Sequence, residues 1–162
     1  MSLIVVFASL FVLLSEFLPS QEPDEVIAIP ITILRENSVI NTQWDGLPVM
    51  VILRSDQTIA SLDSHAAALR DPDSDRSTQP DGARNAWRSL RPEIFVAIAL
   101  GTDLRCPIKP RFEGEQLQGF VDQCRGWRYD AAGRVFDAQD ALRNLRVPPY
   151  RITEEQILIG AQ

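Results

Sequence analysis

The sequence predicts a mainly β fold, largely antiparallel, with one helix and loop insertion. Three observations predict it. Short runs rich in Val, Ile and Phe recur along the chain, each is bounded by Gly, Pro, Asp or Asn, and a single stretch carries helical spacing over several turns.

Residues 3–14 are almost wholly apolar, and the pattern resumes at Phe17 and Leu18 before Pro19. That makes about 18 residues, and a bilayer-crossing helix needs roughly 17 to 25. Residues 1–18 are therefore read as a single membrane anchor, with a cleaved signal segment and a buried helix as the alternatives. No basic residue precedes Arg35, and Leu18-Pro19-Ser20 is a poor cleavage site, which favours the anchor. Its flank (Glu16, Glu22, Asp24, Glu25) is acidic. Cytoplasmic flanks tend to be basic, so the body is expected outside the cytoplasm. Residues 19–25, polar with two prolines, form a hinge.

The globular domain, 26–162, is expected to carry strands at 26–34, 48–53, 94–100, 119–121, 134–136, 145–147 and 156–159. An insertion at 55–86 interrupts them. Ile59, Leu62, Ala66 and Leu69 predict a helix over 56–70, and Asp71-Pro72-Asp73-Ser74-Asp75 ends it in a polar, solvated excursion.

Composition narrows function. With 45% hydrophobic and 23% charged residues the chain is globular in type. Its net charge of −6 argues against a nucleic-acid partner, because neutralising phosphates takes a clustered basic face. Two cysteines and one histidine cannot make a four-ligand Cys/His metal site. The lone His65 has no nucleophile signal beside it, so no catalytic residue is assigned. Cys106 and Cys124 are either free buried thiols or, as an extracytoplasmic location favours, a disulfide.

The surroundings of those cysteines carry a resemblance. Gly101-Thr102-Asp103-Leu104-Arg105-Cys106 resembles the first cluster-binding loop of a Rieske protein, C-x-H-x-x-C. The run Asp122-Gln123-Cys124-Arg125-Gly126-Trp127-Arg128-Tyr129-Asp130-Ala131-Ala132-Gly133-Arg134 resembles the second, C-x-C-H-G-S-x-Y-D followed by a small residue and Gly-Arg. Asp45-Gly46-Leu47-Pro48-Val49, Arg70-Asp71-Pro72-Asp73-Ser74, the stretch 79–93 and Asn144-Leu145-Arg146-Val147-Pro148-Pro149-Tyr150 extend it over about residues 43–151. The chain is similar to the iron–sulfur subunit of the bacterial cytochrome bc complex, ubiquinol-cytochrome c reductase.

The resemblance implies a Rieske-like antiparallel β-sandwich head with cluster-binding loops at 101–106 and 122–130. It also implies a disulfide between Cys106 and Cys124. The family's four ligand positions, two Cys and two His, fall on Gly101, Asp103, Asp122 and Arg125, so the loops are degenerate and every ligand is replaced. Trp127 stands where the family has a Ser that donates to the cluster, and Tyr129 keeps the family's Tyr. The covering proline-rich loop corresponds to 138–142, which lacks prolines. Although the family implies a two-iron two-sulfur cluster, the expectation for this chain is no cofactor and no metal. Ion pairs between Asp103 or Asp122 and Arg105 or Arg125 are expected to fill the site.

The function expected is a non-catalytic, cluster-free subunit with a structural, assembly or interaction role in a quinol-cytochrome c oxidoreductase or related respiratory complex. Its partners would be cytochrome b, a c-type cytochrome or a true Rieske subunit, with membrane lipid around the N-terminal helix. The location would be the bacterial inner membrane, single-pass, with the head in the periplasm. The alternatives are a functional Rieske electron carrier from ubiquinol to a c-type cytochrome, and a domain recruited to an unrelated partner.

Overall fold

In the computed structural model the described residues are 25–64, 66–140 and 143–161. The expected anchor (1–18), almost all of the hinge (19–25) and His65 lie outside them. Among the described residues no helix is long and apolar enough to cross a membrane.

Among the described residues the structure is mainly β, with three antiparallel sheets of three strands and one α-helix. In the central sheet β2 (Val39–Trp44), β3 (Leu47–Leu53) and β4 (Ile94–Ile98) pair in that order. Val49, Met50, Val51 and Ile52 are buried, as is all of β4, so both faces of these strands are covered and the sequence there is apolar without alternation. Asp45 and Gly46 join β2 to β3 in a two-residue turn with φ of 50° and 66°. Asp-Gly suits the left-handed conformation that tight hairpins require at both central positions.

The second sheet holds β5 (Ile108–Glu113), β6 (Gln116–Asp122) and β7 (Arg128–Tyr129). A bulge shifts the β5–β6 register between Arg111 and Phe112, beside Gly119 at φ 133°. A Cβ at Gly119 would collide with the Tyr129 carbonyl, so the close approach of β6 to β7 requires glycine. The third sheet runs β1 (Ile27–Pro30), β9 (Gln156–Ile159), β8 (Tyr150–Ile152), with Pro30 on its edge strand.

Several expected elements differ. The run 26–34 leaves the sheet at Pro30 and turns into a 3-10 segment, Ile31–Ile33. Neither 134–136 nor 145–147 is a strand, because their backbone groups are taken elsewhere. Val135 N–H donates to the Asn144 side chain, Leu145 N–H to Gly133 and Val147 N–H to Thr78, while the Arg146 carbonyl accepts Ile98 N–H. Strands β2, β5, β7 and β8 come from polar or proline-containing runs that carry no strong apolar signal.

The helix α1 (Asp56–Ser64) starts where Ser55 Oγ accepts the Thr58 N–H and is shorter than the expected 56–70. Ser61 and Ser64 donate back to the carbonyls of Thr58 and Ser61, the local competition that makes serine a weak helix former. The polar excursion is solvated at Asp73, Asp75 and Arg76 but anchored at two points. Asp71 and Ser74 are buried, and the Asn144 side chain donates to the Asp71 carbonyl at 2.8 Å and to Ser74 Oγ at 3.0 Å.

Three buried arginines lock the corner that follows β7. Arg134 Nε meets Asp130 Oδ2 at 2.7 Å, and Asp130 Oδ1 accepts the N–H groups of Ala132 and Arg134. Arg54 donates to the carbonyls of Trp87, Pro92 and Ala131 and to Ser89 Oγ, and lies over the Phe95 ring. Arg88 donates to the carbonyls of Ala132, Gly133 and Leu145. Burial pushes the guanidinium pKa of both Arg54 and Arg88 down to about 10, with Asp130 pulling each back up. Both stay charged at neutral pH.

Breaking a fully buried pair leaves an uncompensated charge, so Asp130→Ala is expected to cost about 3–5 kcal/mol in urea unfolding. Glu93→Ala, which breaks the half-exposed Arg91–Glu93 pair, should cost no more than about 1 kcal/mol. Equal costs would show that the corner is not the fixed point of this head.

Candidate functional site

Two loops meet at the end of the second sheet. The first, 101–106, leads into β5, and the second runs from the end of β6 to β7 and the corner at Asp130. Cys106 and Cys124 join them in a disulfide with Cα atoms 5.9 Å apart.

Asp122 ends β6 and organises the second loop. It is 2% exposed, and its Oδ1 accepts the N–H groups of Cys124 at 2.8 Å and Arg125 at 2.9 Å. Its other oxygen faces the first loop, where a Cβ added to Gly101 would lie 2.7 Å from Oδ2. Of the ion pairs expected here, one is present: Arg125 Nη1 meets Asp103 Oδ2 at 3.2 Å across the two loops. Both partners are partly exposed, so the pair is worth at most about 1 kcal/mol. The Arg125 guanidinium also stacks 4.7 Å from the centre of the Trp127 ring, which is buried in the main core. Asp122 makes backbone hydrogen bonds instead of an ion pair.

Tyr129, on β7, is fully buried and its hydroxyl has no hydrogen-bond partner of ordinary geometry. Burial pushes its pKa up to about 12, the carboxylates of Asp122 and Asp103 add to the rise, and the nearby Thr102 side chain offsets part of it. The only other tyrosine, Tyr150, is also raised by burial to about 12, but its oxygen accepts the Leu90 N–H at 2.7 Å.

The donor set bears on what the loops can hold. A Rieske cluster takes two thiolates on one iron and two imidazoles on the other. Gly101, Asp103, Asp122 and Arg125 offer neither, and both sulfurs are spent in the disulfide. Cys106, Asp122 and Cys124 place atoms within 4.8 Å of one another, but only the carboxylate remains a donor, and two backbone N–H groups already occupy one of its oxygens. The side chains of these loops do not fit the cluster. Sequence reasoning reached the loop residues but missed the buried arginines beneath them; only Arg134, four residues after Asp130, offered a spacing signal.

No family model matches the chain. It is 37% identical over 135 residues to the ubiquinol-cytochrome c reductase iron-sulfur subunit of Allochromatium vinosum, covering 78% of this chain and 65% of that one. It is 34% identical over 137 residues to the subunit of the same name from Blastochloris viridis, covering 83% and 70%. Against the Rieske subunit of the mitochondrial cytochrome b-c1 complex of Solanum tuberosum identity is 30%, over 83% of this chain and 46% of that one. The chain thus spans from about half to about two thirds of the length of these relatives. Among solved structures, a chain of a hyperthermophilic respiratory Complex III aligns with a TM-score of 0.57 at 16% identity, covering 95% of this chain and 91% of that one, which shows a shared fold.

These relatives overturn the expectation of no cofactor. They are named iron–sulfur subunits, and a chain this similar to them cannot be assigned a cofactor-free nature from its loops. What stands is local: the side chains present do not form the ligand set.

Two measurements check this description. The Cys106→Ser/Cys124→Ser variant should lose roughly 3 kcal/mol, the loop-closure value for a separation of 18 residues, whereas Asp103→Ala should lose no more than about 1 kcal/mol. In a spectrophotometric titration neither tyrosine should ionise near pH 10, and tyrosinate absorbance should appear only toward pH 12. Absorbance is the informative readout. Stability from the raised tyrosine values is present below pH 10 and lost as pH climbs to about 12, while the lowered Arg54 and Arg88 values act in the opposite sense above pH 10. An early tyrosinate step in the folded protein would contradict the burial of these rings.

Proposed function

Because the chain belongs to the Rieske iron–sulfur subunit family of the ubiquinol-cytochrome c reductases, we propose that it is a membrane-anchored subunit with a structural, assembly or interaction role in a quinol-cytochrome c oxidoreductase complex. One observation carries the reading. The two loops at the tip form a single braced body, tied by the Cys106–Cys124 bond and the Asp103–Arg125 pair, with Asp122 closing the space beside Gly101. A tip held by its own covalent and ionic ties suits a docking surface.

In this reading residues 1–18 anchor the chain in a bacterial inner membrane, 19–25 are the hinge, and 26–162 form a periplasmic head. The insertion 55–86 packs against the corner at Asp130, because Arg134 Nη2 donates to the Leu62 carbonyl. The partners are cytochrome b, a c-type cytochrome or another Rieske subunit. The chain does not turn over substrate alone. A second reading, electron transfer from ubiquinol to a c-type cytochrome, is favoured by the names of the relatives, which are iron–sulfur subunits.

Purification in mild detergent from the source membranes tests the proposal. Copurification with haem-bearing subunits is expected, and a freely migrating monomer overturns it. Iron and acid-labile sulfide, with low-temperature EPR after reduction, separate the two readings on the same material. A stoichiometric Rieske signal makes electron transfer the function.

A further inference from the structure

A cavity of about 250 Å³ lies beside the tip, between the first loop and the segment around 143–146. Three arginines line it, Arg105, Arg143 and Arg146, and no carboxylate does. All three are exposed, and among the described residues none is paired with an acidic side chain. In a chain with 22 acidic and 16 basic residues, a concavity of purely positive sign runs against the net charge of the protein.

The remainder of the wall mixes the aliphatic Leu47, Ile98 and Leu100 with Thr78, Thr102, Asn144 and Gly101. The walls are also fastened to each other. Thr102 Oγ1 donates to the Arg143 carbonyl at 3.1 Å, and Ile98 N–H donates to the Arg146 carbonyl at 2.8 Å, so the backbones that carry the arginines are held to the first loop and to β4. Guanidinium groups match a carboxylate in geometry and charge, and an apolar floor excludes ions that bring no hydrocarbon.

We propose that this cavity binds a small organic carboxylate, its head held by Arg105, Arg143 and Arg146 and its apolar body against Leu47, Ile98 and Leu100. The site borders the tip, with Gly101 in its wall, but holds its ligand through neither the disulfide nor Asp103, Asp122 and Arg125.

Hexanoate is the probe, titrated calorimetrically into the full chain at low ionic strength, where charge attraction is least screened. Saturable binding to one site is expected, weakened at least about tenfold in Arg143→Gln/Arg146→Gln, because hydrogen bonds to charged groups are each worth about a factor of ten or more. The arginine side chains make no intramolecular hydrogen bond among the described residues, so this variant should keep the wild-type unfolding midpoint. Acetate, which lacks the body, and hexanol, which lacks the charge, should each bind more weakly than hexanoate. Failure of hexanoate to saturate, equal affinity in the double variant, or equal affinity for hexanol overturns the proposal.

Discussion

Everything at the tip rests on the corner at Asp130. A buried guanidinium needs acceptors for its N–H groups, and here all but Arg88 Nε find them, mostly main-chain carbonyls from segments far apart in sequence. Arg54 directly follows β3, Arg88 lies between the insertion and β4, and Arg134 belongs to the corner itself, and between them they reach carbonyls at Leu62, Trp87, Pro92, Ala131, Ala132, Gly133 and Leu145. Because a guanidinium is planar with fixed donor directions, these carbonyls cannot slide relative to one another. The corner therefore sets where β7 ends, and with it the far end of the second loop.

The contrast between corner and tip explains how one fold can persist while its end changes. At the corner each interaction is buried and loss of one partner strands another. At the tip, Asp103 and Arg125 face water and either can be replaced at small cost. The disulfide decouples the two regions, since it holds the loops together whatever their remaining side chains do. Kinship of 30 to 37% with subunits named for their iron–sulfur chemistry shows why absence of a cofactor is a poor inference from loop residues alone.

Legibility followed the same division. Runs of buried apolar residues such as Val49 to Ile52 and 94–98 stand out in the sequence because both faces of those strands are covered. The strands β2 and β5 do not, since Asn41, Thr42 and Gln43, or Lys109, Pro110 and Arg111, pair by backbone hydrogen bonds that carry no side-chain signature. The apolar runs 134–136 and 145–147 mislead for the opposite reason: Val135, Leu145 and Val147 are buried, yet the Asn144 side chain and loop carbonyls satisfy their N–H groups. Buried arginines are hardest to foresee, because Arg54 and Arg88 look no different in sequence from the thirteen other arginines, and only the fold supplies their acceptors. The paired cysteines and the Asp103–Arg125 contact were legible because the loop resemblance placed them opposite each other.

The proximity of Gly101 to Asp122 constrains the history of this tip. Any side chain at 101 would start 2.7 Å from the Asp122 carboxylate, so position 101 cannot acquire one while 122 keeps its present rotamer. The reverse step is open, since 122 can shrink with 101 still glycine. The two positions are thus coupled unequally: a side chain at 101 requires the Asp122 carboxylate to turn away or be replaced, whereas a smaller residue at 122 leaves glycine at 101 undisturbed.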